Sequence, residues 1–261
     1  MARISRQALS FKEFSNLPKP QQVKELQKMT KRANVRLKLQ EDKQLYNKAY
    51  KDTYEFNTSL GREKNRFYEG KNYKTKDDIV QAFKGVQSYL TDKGSTLTGA
   101  KKGIVDDVKL KFKTNTLDMK YLKSLTLQER AYASQYLGQL SNQRLKSLEK
   151  AGIKHFAYAK AEKYNVDDEG RKNNRFYTGT KFKTGNDINR QLENEIYFLN
   201  AKTSTPTGLK QIYKERIDTF RDKGVSIPQG QEKEFMDFLS SKQFENLSKY
   251  ADSNQVIQTY A

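Results

Sequence analysis

The chain has 261 residues, no cysteine, and 50 Lys+Arg against 31 Asp+Glu, for a formal net charge of +19. Without cysteine there is no disulfide, thiolate metal site or cysteine nucleophile, which fits a reducing cytoplasm. The charge favours a polyanionic partner such as nucleic acid or an anionic surface, and a hydrophobic fraction of 35% predicts long exposed helices around thin cores.

Residues 1–20 read as a basic arm whose Leu17-Pro18-Lys19-Pro20 disfavours helix. Residues 21–101 form a first module. Val23, Leu26, Met29 and Leu37 fall at helical spacing between many lysines and arginines, a basic amphipathic helix. Asn34, Leu37 and Glu41 stand at i, i+3 and i+7, so both polar residues share the leucine's face. Two readings are open for them: pairing with backbone or arginine inside the module, or, through Asn34 and Arg36, contact with phosphates.

Arg62 to Lys74 is an aromatic and basic block containing Phe67-Tyr68-Glu69-Gly70 and Tyr73. A glycine there suits a tight turn, hence a short β-hairpin or an aromatic-anchored loop. Phe67 either fills the core or, with Tyr68, stacks on unpaired bases. Thr75 and Asp78 mark a helix start, and that helix buries Ile79, Phe83, Val86 and Leu90 and stops near Lys93. Ser95-Thr96-Leu97-Thr98-Gly99 opens another, where hydroxyls behind a lysine either cap the helix or hold a phosphate.

Residues 102–126 read as a basic connector. The first module then returns over 127–210. Residues 64–101 and 173–210 share sixteen identities over 38 positions at an offset of 109, among them Arg175-Phe176-Tyr177-x-Gly179, Lys202 and Ser204-Thr205-x-Thr207-Gly208. Upstream, Asn142, Arg144, Leu145, Glu149 and Tyr158 match Asn34, Arg36, Leu37, Glu41 and Tyr50 at an offset of 108, so one residue is inserted between the blocks. Residues 211–261 comprise a connecting helix and a less basic tail, in which short helices around Phe235, Phe238 and Phe244 are expected, with a turn at Asp252-Ser253-Asn254.

The predicted fold is therefore mainly α: two duplicated helical modules, a possible short β-hairpin in each, and a small C-terminal helical tail. No apolar run is long enough for a signal peptide or a membrane span, so a soluble chain outside conventional export is expected. The charge and its repetition nominate Lys31, Arg32, Arg36, Arg66, Phe67, Tyr68 and Lys93 as nucleic-acid contacts, and in the second module Arg144, Arg171, Lys172, Arg175, Phe176, Tyr177 and Lys202.

Arg32-Ala33-Asn34-Val35-Arg36 within a basic helix, together with the less basic tail carrying Asp252-Ser253, resembles the terminal proteins of small tailed phages of low-GC Gram-positive bacteria, which prime replication of linear DNA. That resemblance implies a non-enzymatic chain with no cofactor of its own. Its partners would be DNA and a phage DNA polymerase that supplies divalent metal ions, with self-association also open. The hydroxyl accepting the first nucleotide would be Ser253, with Thr259 and Tyr260 behind it, and the protein would stay on the DNA 5′ end, in the host cytoplasm and in the virion. A virion or nucleoid DNA-packing protein and an RNA-binding regulator are the alternatives.

Overall fold

The computed structural model describes residues 9–62 and 64–224, and within them most helices begin where a hydroxyl, carboxyl or amide oxygen accepts from a first-turn N–H group. Ser10 and Glu13 form a capping box at α1 (Phe11–Ser15), and Pro20 occupies the first turn of α2 (Lys19–Asp42), where its missing N–H costs nothing. Asn47 caps α3 (Lys48–Ser59) and Thr75 with Asp78 boxes α4 (Lys76–Thr91). After a 3₁₀ turn at Lys93–Ser95, Thr96 caps α5 (Leu97–Lys113).

The same series follows again: α6 (Met119–Ser124), α7 (Leu127–Lys150), α8 (Phe156–Glu162), α9 (Gly185–Asn200), a 3₁₀ turn at Lys202–Ser204 and α10 (Pro206–Asp222). Asp118 caps α6 as Ser10 caps α1, and Thr184 with Asp187 boxes α9. Helices α2 and α7 are both 24 residues long, α4 and α9 both 16, and α5 and α10 both 17. The repeat thus runs from α1 to α5 and from α6 to α10, further than the identities reach. Residues 102–126, read from sequence as a connector, are largely helical, and so are parts of residues 9–20. No strand occurs among the described residues, and the expected β-hairpins are extended loops. The C-terminal tail lies outside the described residues.

The inserted residue has a visible home. The counterpart of continuous α3 is α8 followed by a π-helical turn, Lys163–Asp168, with Glu169 N–H donating to the Tyr164 carbonyl. A π turn takes one more residue per hydrogen bond than an α turn. The offset therefore changes there while Asn165, the match of Asn57, keeps its place.

The described residues divide into two compact units between Ala133 and Ser134, within α7. In unit 1, α2 and α4 enclose Leu26, Leu37, Phe67, Ile79, Phe83 and Val86, with Phe14 of α1 stacked on Phe83 at 3.9 Å. A smaller cluster of Leu45, Ala100 and Ile104 is closed by Tyr132 from the start of α7. There the Glu129 carboxylate accepts from Tyr46 N–H at 2.9 Å and Thr126 Oγ1 donates to the Gln44 carbonyl at 2.6 Å. The opening of the second repeat therefore completes the first unit.

Unit 2 has the same pattern with a more polar core. Positions filled by Leu26, Phe56, Ala82 and Val86 in the first copy hold Ser134, Tyr164, Gln191 and Glu195 in the second. Glu195 is 0% exposed. Its Oε1 accepts from Gln191 Nε2 at 2.7 Å and Ser134 Oγ at 3.1 Å, while Oε2 has no hydrogen-bond partner. Burial raises its pKa well above the usual 4.5, with Gln191, Ser134 and Arg171 opposing. The folded state thus holds a proton that the unfolded chain releases above about pH 4.5, so this group's contribution to stability is full below that pH and is lost as pH rises. Equilibrium unfolding of Glu195→Gln should show its advantage over wild type growing as pH rises above about 4.5, by up to about 1.4 kcal/mol per pH unit. Parallel stability curves would contradict a protonated Glu195.

Candidate nucleic-acid interface

In each copy the aromatic block is strapped onto the long basic helix by side-chain amides. Asn34 Nδ2 donates to the Phe67 carbonyl at 2.9 Å and Asn34 Oδ1 accepts from Phe67 N–H at 2.8 Å, so the amide serves the loop as a neighbouring strand would. Gln27 Nε2 adds a bond to the Glu69 carbonyl at 2.8 Å. In unit 2, Asn142 grips Phe176 at 2.9 and 2.8 Å and Gln135 holds the Thr178 carbonyl at 2.9 Å. The rings so positioned are core residues, Phe67 at 3% and Phe176 at 2% exposure.

The repeated charged residues complete the same scaffold. Arg66 meets Glu41 through two parallel bonds of 2.8 and 2.6 Å, and Arg175 meets Glu149 through bonds of 2.7 and 2.6 Å. Those guanidinium groups hold both carboxyls below their usual pKa. Arg36 donates to the Leu90 carbonyl and to Ser95 Oγ, and Arg144 to the Leu199 carbonyl and Ser204 Oγ. Arg171 donates to Asn165 and Gln191, as Arg62 donates to Asn57.

These contacts give many of the residues nominated from sequence a structural role inside their own unit. Arg36, Arg66, Arg144, Arg171 and Arg175 spend guanidinium donors on their own unit, and Phe67 and Phe176 present no open ring face. Lys93 and Lys202 are exposed, but the helix starts beside them are filled by protein. A Cβ on Gly99 would lie 1.8 Å from the Lys93 carbonyl oxygen, and one on Gly208 would lie 2.2 Å from that of Lys202. Thr96 and Thr205 accept from the N–H groups of those glycines, so the repeated hydroxyl motif is a packing and capping device. Lys202 also approaches Glu215 at 3.6 Å. Arg32 and Lys172 are exposed. Ser253, Thr259 and Tyr260 lie outside the described residues.

Part of what remains open to solvent lies together in unit 1. A groove of about 850 Å³ is lined by Lys31, Val35 and Lys38 of α2 and by Arg62, Lys64 and Tyr68 of the strapped loop and its approach. Lys31, Lys38 and Lys64 are exposed and form no ion pair with any described residue. Val35 is 60% and Tyr68 39% exposed. Glu69 is the acidic member of the lining, and its Oε1 accepts from Asn34 Nδ2 at 2.7 Å.

Of this set the sequence nominates Lys31 and Tyr68 and misses Val35, Lys38, Arg62 and Lys64. Their signal is spacing: residues 31, 35 and 38 stand at i, i+4 and i+7, on one helix face away from Leu26 and Leu37. The matching positions in unit 2 hold Gln139, Gln143, Lys146, Arg171, Asn173 and Tyr177, with one lysine in place of three.

Comparison with protein-family models, curated proteins and solved structures gives no match. Among the described residues no helix is long and apolar enough to cross a membrane.

Removing the clamp strands a buried N–H and a buried carbonyl. Asn34→Ala and Asn142→Ala should each destabilise their unit by about 1–3 kcal/mol in urea unfolding. A loss within error of zero for both would show that the loop holds itself.

Proposed function

We propose that this chain is a sequence-tolerant nucleic-acid-binding protein, with DNA as its target, that takes the phosphate backbone into the groove of unit 1. The observation that carries this is the convergence of Lys31, Lys38 and Lys64, each without an ion-pair partner among the described residues, on one open groove of a chain with net charge +19. Ammonium groups on flexible stems act as point charges toward phosphate and carry no sequence information. Arg36, Arg66, Arg144 and Arg175, whose planar forks suit guanine, are held by carbonyl, hydroxyl or carboxylate groups inside their units. Affinity without sequence reading follows from that division of labour.

Protein priming through Ser253, with a polymerase supplying metal ions, is a narrower proposal within this reading and rests on the resemblance alone. Of the five residues 32–36 that help carry it, Ala33, Asn34 and Arg36 serve the packing of unit 1.

Binding measured by fluorescence anisotropy should weaken with salt. A slope of log K against log salt of about −3 is expected if the three lysines each meet a phosphate of duplex DNA. The Lys31→Ala/Lys38→Ala/Lys64→Ala protein should bind more weakly at low salt and lose most of that slope. A control with Lys109, Lys113 and Lys120 changed to alanine loses equal charge elsewhere. If the two triple variants bind alike, the groove is not the site.

A further inference from the structure

We infer that the groove of unit 1 is built for an unpaired strand, with one base stacked on Tyr68 and the adjoining phosphates on Lys31, Lys38 and Lys64, and that unit 2 lacks this site. The inference rests on the nucleic-acid reading above and adds the strandedness of the ligand and the residue that senses it.

Tyr68 differs from the other rings of the block in being both fixed and accessible. Its hydroxyl end lies against Gly70, where a Cβ would come within 2.1 Å of the phenol oxygen. Gly70 does not take a positive φ, so its missing side chain serves the ring rather than a turn. Tyr73 meets Tyr68 edge to face at 5.4 Å and 84°. The backbone on either side is held by Asn34 at Phe67 and by Gln27 at Glu69. The ring is thus supported from within the protein, and its exposed part lines the groove beside Val35, an aliphatic side chain that is 60% exposed.

A polyanion that offered only phosphates would gain nothing from an immobilised ring and a bare valine between lysines. Unpaired bases have apolar faces to place there, and base stacking on an aromatic side chain is tolerant of sequence. A duplex keeps those faces stacked internally. Lys31 and Lys38 are two helical turns apart, about 10 Å along α2. That is a length occupied by about three stacked nucleotides at ~3.4 Å each.

Unit 2 provides the internal control. Tyr177 is held by the same devices, with Gly179 under its hydroxyl end and Phe182 at 5.3 Å and 85°. Yet Lys31, Val35 and Lys64 are replaced at the matching positions by Gln139, Gln143 and Asn173. The platform persists there with one flanking lysine, Lys146, in place of three and without its apolar neighbour.

The test compares the full chain with Tyr68→Ala, Tyr68→Phe and Tyr177→Ala, each first checked for wild-type circular dichroism and thermal unfolding. Binding is read by anisotropy against oligo-dT, oligo-U and a mixed-sequence DNA duplex of equal length. Tyr68→Ala should weaken binding to the single strands by about five- to 100-fold and change duplex binding less than twofold, while Tyr68→Phe and Tyr177→Ala stay near wild type. The dT and U arms separate DNA from RNA as the source of the strand, and the Tyr68→Ala loss is expected on whichever binds. Equal losses on single strand and duplex, no loss on either, or an equal effect of Tyr177→Ala would overturn the inference. If the lysine variants still weaken binding, the wider nucleic-acid reading survives that result, whereas a wild-type chain that binds none of the three probes at low salt defeats both.

Discussion

A side-chain amide that replaces a missing strand is the constraint on which both units depend. The loops after α3 and after the π turn run extended beside a helix, and a helix offers no backbone partners laterally because its own groups are paired internally. Asn34 and Asn142 supply one donor and one acceptor to the buried backbone of Phe67 and Phe176. An unpaired buried backbone group costs about as much as the hydrogen bond it lacks, so the clamp is what allows a phenylalanine to enter the core from a loop. Everything around it follows from that entry: Phe67 reaches Tyr89 at 6.0 Å and Phe176 reaches Phe198 at 5.9 Å, and the next residue in each copy is the tyrosine of the platform.

Helices and their starts were readable from sequence because the signals are local. Thr75 and Asp78, or Thr184 and Asp187, lie three residues apart and act on each other directly. The repeat made the shared polar residues conspicuous but left their purpose open, since Asn34 and Glu41 on the leucine face fit both internal pairing and phosphate contact. Choosing between these required knowing that Arg66 folds back over 25 residues to reach Glu41. Gly70 was misleading for a related reason. It fits the sequence rule for a tight turn, while it is glycine because the Tyr68 ring occupies the space of a Cβ.

The two copies share a scaffold and differ in what it carries. Unit 1 keeps an apolar core around Leu26, Ala82 and Val86 and places three lysines around an open ring. Unit 2 holds Ser134, Gln191 and a buried carboxyl at Glu195, and its matching surface keeps a single lysine. The residues that build the clamp, Asn34 and Gln27 with their counterparts Asn142 and Gln135, are identical between copies. The lysines that distinguish unit 1, Lys31 and Lys64, fall at positions where the copies differ, so repetition does not single them out: Lys31 is nominated on charge and Lys64 is missed. Repetition therefore pointed to the scaffold, and its breakdown marks the surface proposed to bind.

Hydrogen exchange of the full chain, resolved by mass spectrometry with and without saturating oligo-dT at low salt, tests this division most directly. The account predicts added protection in peptides covering residues 28–39 and 62–72, with the matching peptides around 136–147 and 171–181 unchanged. Equal protection in both copies, or protection confined to the second, would contradict the claim that the shared network is scaffold and the groove of unit 1 is the binding surface.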